Sequence, residues 1–212
     1  MHQDATESGR LESIQVALPQ TIEHQDGEWT TAFYKQPVGG LQRVEQTGVV
    51  GDGQADLKHH GGIDKAVLAY CVDHYPVWND ELKLGCSFGG FGENLSISGL
   101  DETRICIGDQ WRIADITLEV SQPRQPCWKL GRRWSNKLLP KIVILNGRTG
   151  WYFRVLQPGT CTAGDELNLV SRPSPEWTVS RANEVFYRGT NEDKRALSEV
   201  ALLSESWKSS LT

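Results

Sequence analysis

The stretch Ser121-Gln122-Pro123-Arg124-Gln125-Pro126-Cys127-Trp128-Lys129-Leu130 places a cysteine after two prolines and before an aromatic residue. Each proline fixes its own φ and pushes the preceding residue towards extended geometry, so the turn is stiff and can aim one side chain accurately. Arg124 lies three residues before the thiol and Lys129 two after it. Fixed positive charge nearby favours the thiolate, the form that attacks electrophiles and ligates soft metals. Cys127 is therefore the candidate catalytic residue and metal ligand. The same features also suit a partly buried, inert thiol on a structural turn.

A second group is Asp56-Leu57-Lys58-His59-His60-Gly61-Gly62-Ile63-Asp64-Lys65. Adjacent amides at Gly61 and Gly62, with His60 and Lys65, could hold a phosphate. A tight turn with surface histidines explains the same residues, and no Walker loop is present. In Gly89-Gly90-Phe91-Gly92-Glu93-Asn94, the Asn94 amide could read the edge of a heterocycle or cap backbone groups of its own loop. Arg148 and Arg154 flank a turn and strand, where they suit phosphate, carboxylate or surface ion pairs. The Gly-Asp pairs at 51–52, 108–109 and 164–165 read as structural punctuation. Neither GxSxG, HExxH nor GxGxxG occurs, while a hydrolase pairing of Cys127 with His59 or His60 stays open.

The elements that must carry these residues are mostly strands. Up to about residue 170 the apolar runs are short and separated by glycine turns. Cys106 to Ile113 and Ile116 to Ser121 read as a strand pair joined at Ala114-Asp115. In the second strand Ile116, Leu118 and Val120 alternate with Thr117 and Glu119, the period of a half-buried strand that delivers the chain to the cysteine turn. Gly150 to Leu156 and Glu166 to Val170 read as further strands. Asp73 to Leu84 predicts a helix, and Ser135 to Leu145 another, broken or kinked at Pro140. Residues 171–175, Ser-Arg-Pro-Ser-Pro, read as a linker between a β domain over 1–172 and a small module over 173–212. Three short helices follow, the second capped by Asn191 and the last holding Trp207. So short a module must pack on the β domain to bury anything.

The net charge of −5 argues against coating nucleic acid or an anionic membrane, and no apolar run approaches the roughly 18 residues that span a bilayer. Five well-spread cysteines, without CxxC or zinc-type spacing, fit free thiols in a reducing cytoplasm.

Taken together, the segments resemble the MOSC family, the domain named for the C-terminus of molybdenum-cofactor sulfurase, and within it the YiiM-like branch. The matching stretches are Trp29-Thr30-Thr31-Ala32 with Lys35 and Pro37-Val38, residues 51–56, His60 to Val67, Phe91 to Leu95, Gln122-Pro123-Arg124 through Leu130, and Gly147 to Trp151. The tail from Trp177 to Trp207 resembles the three-helix module of that branch. The first 28 residues match loosely, and 1–10 read as a loose extension. The resemblance implies a β-barrel-like fold with a few peripheral helices and the C-terminal module. It implies molybdenum cofactor held by the Cys127 thiolate, with His60, Gly61, Gly62, Lys65, Asn94, Arg124 and Arg148 as cofactor-binding candidates. It further implies reduction of small N-hydroxylated compounds, hydroxylaminopurine-type bases among them, with electrons from a separate reductase and no call for pyridoxal phosphate. A non-catalytic carrier of the cofactor, or of sulfur as a Cys127 persulfide, is the alternative.

Overall fold

The computed structural model describes residues 7–23, 27–56 and 61–211. Among them seven strands close into a barrel: β1 (Ser8–Val16), β2 (Val67–Cys71), β3 (Leu95–Ser98), β4 (Gln110–Ile113), β5 (Ile116–Pro123), β6 (Trp151–Gln157) and β7 (Glu166–Ser171). Around the ring the order is β1-β7-β4-β5-β6-β2-β3, and β3 pairs back onto β1. Closure satisfies the strand edges that an open sheet would expose. Neighbours are antiparallel except β2 and β3, which run parallel. A parallel pair needs a crossover, and helix α1 (His74–Leu82) lies in that connection.

Residues at the N-terminus belong to this closure. Ser8, Gly9 and Arg10 pair with Asn168, Leu167 and Glu166, so this part of the expected loose extension is barrel strand; residues 1–6 lie outside the described residues. The β4–β5 hairpin turns at Ala114-Asp115 with Ile113 opposite Ile116, and Ala114 takes the positive φ of 49°. The first strand of this pair begins at Gln110 rather than Cys106. Asp109 accepts a hydrogen bond from the Cys106 amide at 2.9 Å, and the Arg172 guanidinium holds the same carboxylate, so residues 106–109 turn.

β5 departs from the expected half-buried pattern. Ile116, Leu118 and Val120 are buried as the alternation predicts, but so are Glu119, Ser121 and Gln122. The second face is covered from the C-terminal module, whose helices α4 (Val179–Arg188), α5 (Asn191–Ser198) and α6 (Glu205–Leu211) follow α2 (Trp128–Arg133) and α3 (Leu139–Asn146); residues 202–206 lie against it. Ser204 donates its amide to the Ser121 carbonyl at 2.9 Å and its hydroxyl to Gln122 at 2.7 Å. Arg154 bridges Glu119 at 2.9 Å, Asp64 at 2.5 Å and the Leu202 carbonyl at 2.9 Å. The buried polar face thus has partners supplied by the module at Gln122 and by the barrel at Glu119 and Ser121.

Two helix starts differ from expectation. Pro140 does not break a helix but sits in the first turn of α3, where its missing N–H costs nothing. α5 is capped by Thr190, not Asn191, because Thr190 and Asp193 form a reciprocal capping box. None of the described helices is long and apolar enough to cross a membrane.

Trp207 of α6, together with Val179, Ala182 and Leu197, belongs to the same apolar cluster as Trp111, Ile113 and Phe153 of the barrel. Module and barrel therefore share one core. Trp207→Ala should destabilise the whole chain by about 3–5 kcal/mol, the cost of a large core truncation. Denaturant unfolding followed by fluorescence and by far-UV dichroism should show one coincident transition; a separate, earlier helical transition would contradict the shared core.

Candidate functional site

β5 ends at Pro123, and the chain turns so that the Arg124 amide donates to the Gly150 carbonyl at 3.0 Å. Gly150 sits at φ 75°, and a Cβ there would lie 2.5 Å from the Ala69 carbonyl oxygen, so glycine lets this segment press against β2. Cys127 has extended backbone and occupies the N-cap position of α2 without a side-chain capping bond, ahead of a helix the sequence did not announce. The C-terminal module braces the turn from behind. Asn183 of α4 donates to Thr149 Oγ1 at 2.8 Å.

Cys127 opens onto a solvent-accessible cleft. Arg124, Gln125, Lys129 and Tyr152 line it on the cysteine side, Lys65 and Leu68 on another, and Phe33, Phe91 and Gly92 add aromatic and backbone wall. Lys35, Asp52 and Asn94 also line it and form one buried network. Asp52 accepts from the Lys35 ammonium, from the Ala17 amide at 2.8 Å and from Asn94 Nδ2 at 2.9 Å. Arg124 is buried; its Nη2 donates to the Phe91 carbonyl at 3.1 Å, while its buried Nη1 has no hydrogen-bond partner among the described residues. A buried guanidinium N–H without an acceptor is costly, and an anion in the cleft would satisfy it.

The loop carrying Phe91 is held by Glu93. This fully buried carboxylate accepts from the Gly89 amide at 2.6 Å, the Phe91 amide at 3.0 Å, Ser96 Oγ at 3.0 Å and the Tyr75 hydroxyl. Burial and the Glu93 charge push the Tyr75 phenol far up, so it stays protonated and donates.

Protonation sorts the cleft and its surroundings. Burial lowers Lys35, with the Asp52 charge opposing, and lowers Lys65, with Asp64 opposing. Desolvation raises Tyr152 to about 12 against the pull of Arg124, so its phenol keeps its proton at neutral pH. Burial raises Cys71 and Cys161 to about 12, and Cys86 and Cys106 to about 11. Those four thiols are buried; Cys127 alone is partly exposed.

A family model described as the MOSC domain matches residues 56–168, which hold five of the seven barrel strands entirely, part of β7 and the cysteine turn. A second, the YiiM-like 3-alpha helix domain, matches 177–212, spanning α4 to α6. The chain belongs to the MOSC family. It is 41% identical to the uncharacterised protein YflK of Bacillus subtilis over 93% of this chain and 90% of that one. A protein of Gibberella moniliformis named "Reductase" is 39% identical over 84% of this chain, which spans only 32% of that longer relative. The crystal structure of YiiM from Geobacillus stearothermophilus superposes with a TM-score of 0.82 at 32% identity, covering 96% of this chain and 97% of that one.

Within this MOSC site, the fold brings together Cys127, Arg124, Lys65 and Asn94. Asn94, however, spends both amide donors on the Gln15 carbonyl and Asp52, and accepts from the Leu68 amide, so only one lone pair remains for a ligand. Arg148 is not in the cleft lining: it lies over the Trp78 ring at 5.4 Å and reaches Glu81 at 3.8 Å. Gly61 and Gly62 lead into the short turn Ile63–Lys65 without lining the cleft, and His59 and His60 lie outside the described residues. Asp52, read as punctuation, is instead a buried hub of the cleft. Among the described residues no three His, Cys, Asp or Glu side chains come together as a cage for a bare ion.

Iodoacetamide applied to the native protein at pH 8 should therefore alkylate one thiol per chain, at Cys127, because the other four are buried and protonated. Mass spectrometry of peptides checks the site; rapid modification of Cys71 or Cys161 would contradict the assignment.

Proposed function

We propose that this MOSC protein binds molybdenum cofactor and reduces small N-hydroxylated compounds, with hydroxylaminopurine-type bases as the substrate class. The observation that carries the proposal is one partly exposed thiol on the wall of a cleft that also holds an unpartnered, buried Arg124 N–H. A thiolate suits a soft metal that brings its other ligands with it. Arg124, Lys65 and Lys129 suit the terminal phosphate of a pterin cofactor. The cleft is concave and lined by aromatic, aliphatic and a few charged side chains, the mixed lining of a small-ligand site. The residues present therefore fit the group.

When bound, the cofactor supplies the two-electron, oxygen-accepting chemistry. The overall reaction is R–NHOH + 2 e⁻ + 2 H⁺ → R–NH₂ + H₂O, with the electrons delivered by a separate reductase. The chain's own part is to ligate through Cys127 Sγ, to hold the phosphate with cations, and to offer Phe33 and Tyr152 as aromatic walls for a heterocycle. Tyr152 Oη keeps its proton through neutral pH and stays a neutral donor on the wall. The relative named "Reductase" supports the reaction class. An odd number of cysteines, all free, accords with a reducing cytoplasm.

Molybdenum and pterin per chain should be near stoichiometric in wild type from a cofactor-producing host. Cys127→Ser should abolish turnover, and Arg124→Gln should lower pterin retention about tenfold or more. Full molybdenum and full turnover in Cys127→Ser would defeat the proposal, and cofactor retained without N-reduction in wild type would favour the carrier function.

Retention should also depend on pH through Lys65. Its pKa is lowered, so its charge is complete below that value and lost as pH rises through it, at lower pH than for an ordinary lysine. Pterin loss on dialysis should increase on the alkaline side, and Lys65→Arg, which stays charged, should remove that dependence. Equal alkaline loss in both would exclude Lys65 from the phosphate site.

A further inference from the structure

We infer that the α2–α3 face beside the cleft is the docking surface for an acidic electron-carrier protein; this rests on the reductase reading above. Trp128 to Asn146 holds five cations, Lys129, Arg132, Arg133, Lys137 and Lys141, and no carboxylate. Indeed no Asp or Glu occurs from Val120 to Gly164, in a chain whose net charge is −5. The positive charge of an acidic protein is thus concentrated on the elements that follow the cysteine turn.

The way the charge is seated supports recognition of a partner. The Arg132 guanidinium lies 4.8 Å from the Trp128 ring and 5.8 Å from that of Trp29; Arg133 lies 4.1 Å from Tyr34 and 5.3 Å from Trp134. An aromatic face orients a guanidinium without cancelling its charge, as a carboxylate would. Lys137, in the turn between α2 and α3, and Lys141 of α3 are exposed. Between these cations stand large apolar side chains in water: Trp128 is 55% exposed, Leu138 65% and Leu145 54%. An exposed Trp set among arginines is the composition of a protein–protein contact, and the flanking lysines would steer the encounter.

Placement decides what the partner is. α2 begins at the residue after Cys127, so a protein docked here stands at the rim of the cleft, as near the reacting group as a body too large to enter can come. A short basic patch on an otherwise acidic surface also favours a compact, oriented acidic protein over a long polyanion, which would run onto the repelling remainder. In each cycle the carrier loses two electrons while R–NHOH takes up those electrons and two protons, leaving as R–NH₂ and water.

The test uses the full, cofactor-loaded chain with flavodoxin, an acidic flavoprotein carrier, as probe. Binding is measured by calorimetry across ionic strength, and turnover is driven by reduced flavodoxin or by reduced viologen. Wild type should bind flavodoxin with a Kd that rises steeply with salt. The charge-reversed pair Lys137→Glu/Lys141→Glu should weaken binding and flavodoxin-driven kcat/KM by about tenfold or more, leaving viologen-driven turnover unchanged. The milder Lys137→Gln/Lys141→Gln should fall between, and Arg112→Glu/Arg195→Glu, exposed cations outside this face, should bind as wild type. No binding by wild type, no loss in the reversed pair, or equal loss in the control pair would overturn the docking surface. Intact, patch-dependent flavodoxin binding without viologen-driven N-reduction would leave the surface standing and sink the reductase reading instead.

Discussion

The rest of the site hangs on the hydrogen bond from the Arg124 amide to the Gly150 carbonyl. It fixes where the chain leaves the barrel after β5, and so where Cys127 is held. Gly150 can serve because it lacks a Cβ and lies against the Ala69 carbonyl. Its own amide donates to Glu102 at 2.7 Å, and Glu102 in turn meets His74 at 2.7 Å. Thr149, one residue before, is held by Asn183 of the C-terminal module. The turn is thus tied to β2, to α1 and to α4 at once, and proline at 123 and 126 removes the remaining freedom. A thiol placed this way loses little entropy on meeting its ligand.

Around that turn the protein has buried charge to an extent that stability alone does not favour. Lys35, Glu93 and Arg124 are buried at or near the cleft, and the Asp52 side chain is only 8% exposed. Removing such groups from solvent costs several kcal/mol each unless partners offset it. For Asp52 and Glu93 the partners are present and internal: amides, an asparagine, a lysine, a tyrosine. For Arg124 they are incomplete, with one N–H buried and unmatched. Two fully satisfied carboxylates therefore build the walls, and one under-satisfied cation faces the cleft. That asymmetry singles out Arg124 as the candidate binding group.

Much of this was legible in the sequence where local chemistry decides. Alternation in Ile116 to Val120, the stiff Pro-Arg-Gln-Pro-Cys turn, and the three helices after residue 178 were readable because periodicity, proline and capping act over a few residues. What escaped depends on contacts far apart in the chain. Asp52 looks like the Gly-Asp turns at 108–109 and 164–165, yet only Asp52 meets Lys35 and Asn94, and nothing near it in sequence says so. Arg148 sits among motif residues but is turned away by the left-handed Gly147, at φ 76°, onto Trp78. β5 read as half-buried because its second face is covered by residues some eighty positions later, Ser204 and Ser206 on Gln122. Cys127 at a helix N-cap position was also hidden, since the six residues of α2 are too few to carry a periodic signal.

The central claim is that Cys127 Sγ is a ligand to molybdenum in this cleft. Molybdenum K-edge X-ray absorption on loaded wild type and Cys127→Ser tests it most directly, because the sulfur shell counts thiolate ligands whatever the substrate. The account predicts one fewer sulfur neighbour per molybdenum in the metal that the variant retains. An identical sulfur shell in both proteins would contradict it and return Cys127 to the status of a free thiol beside the cleft.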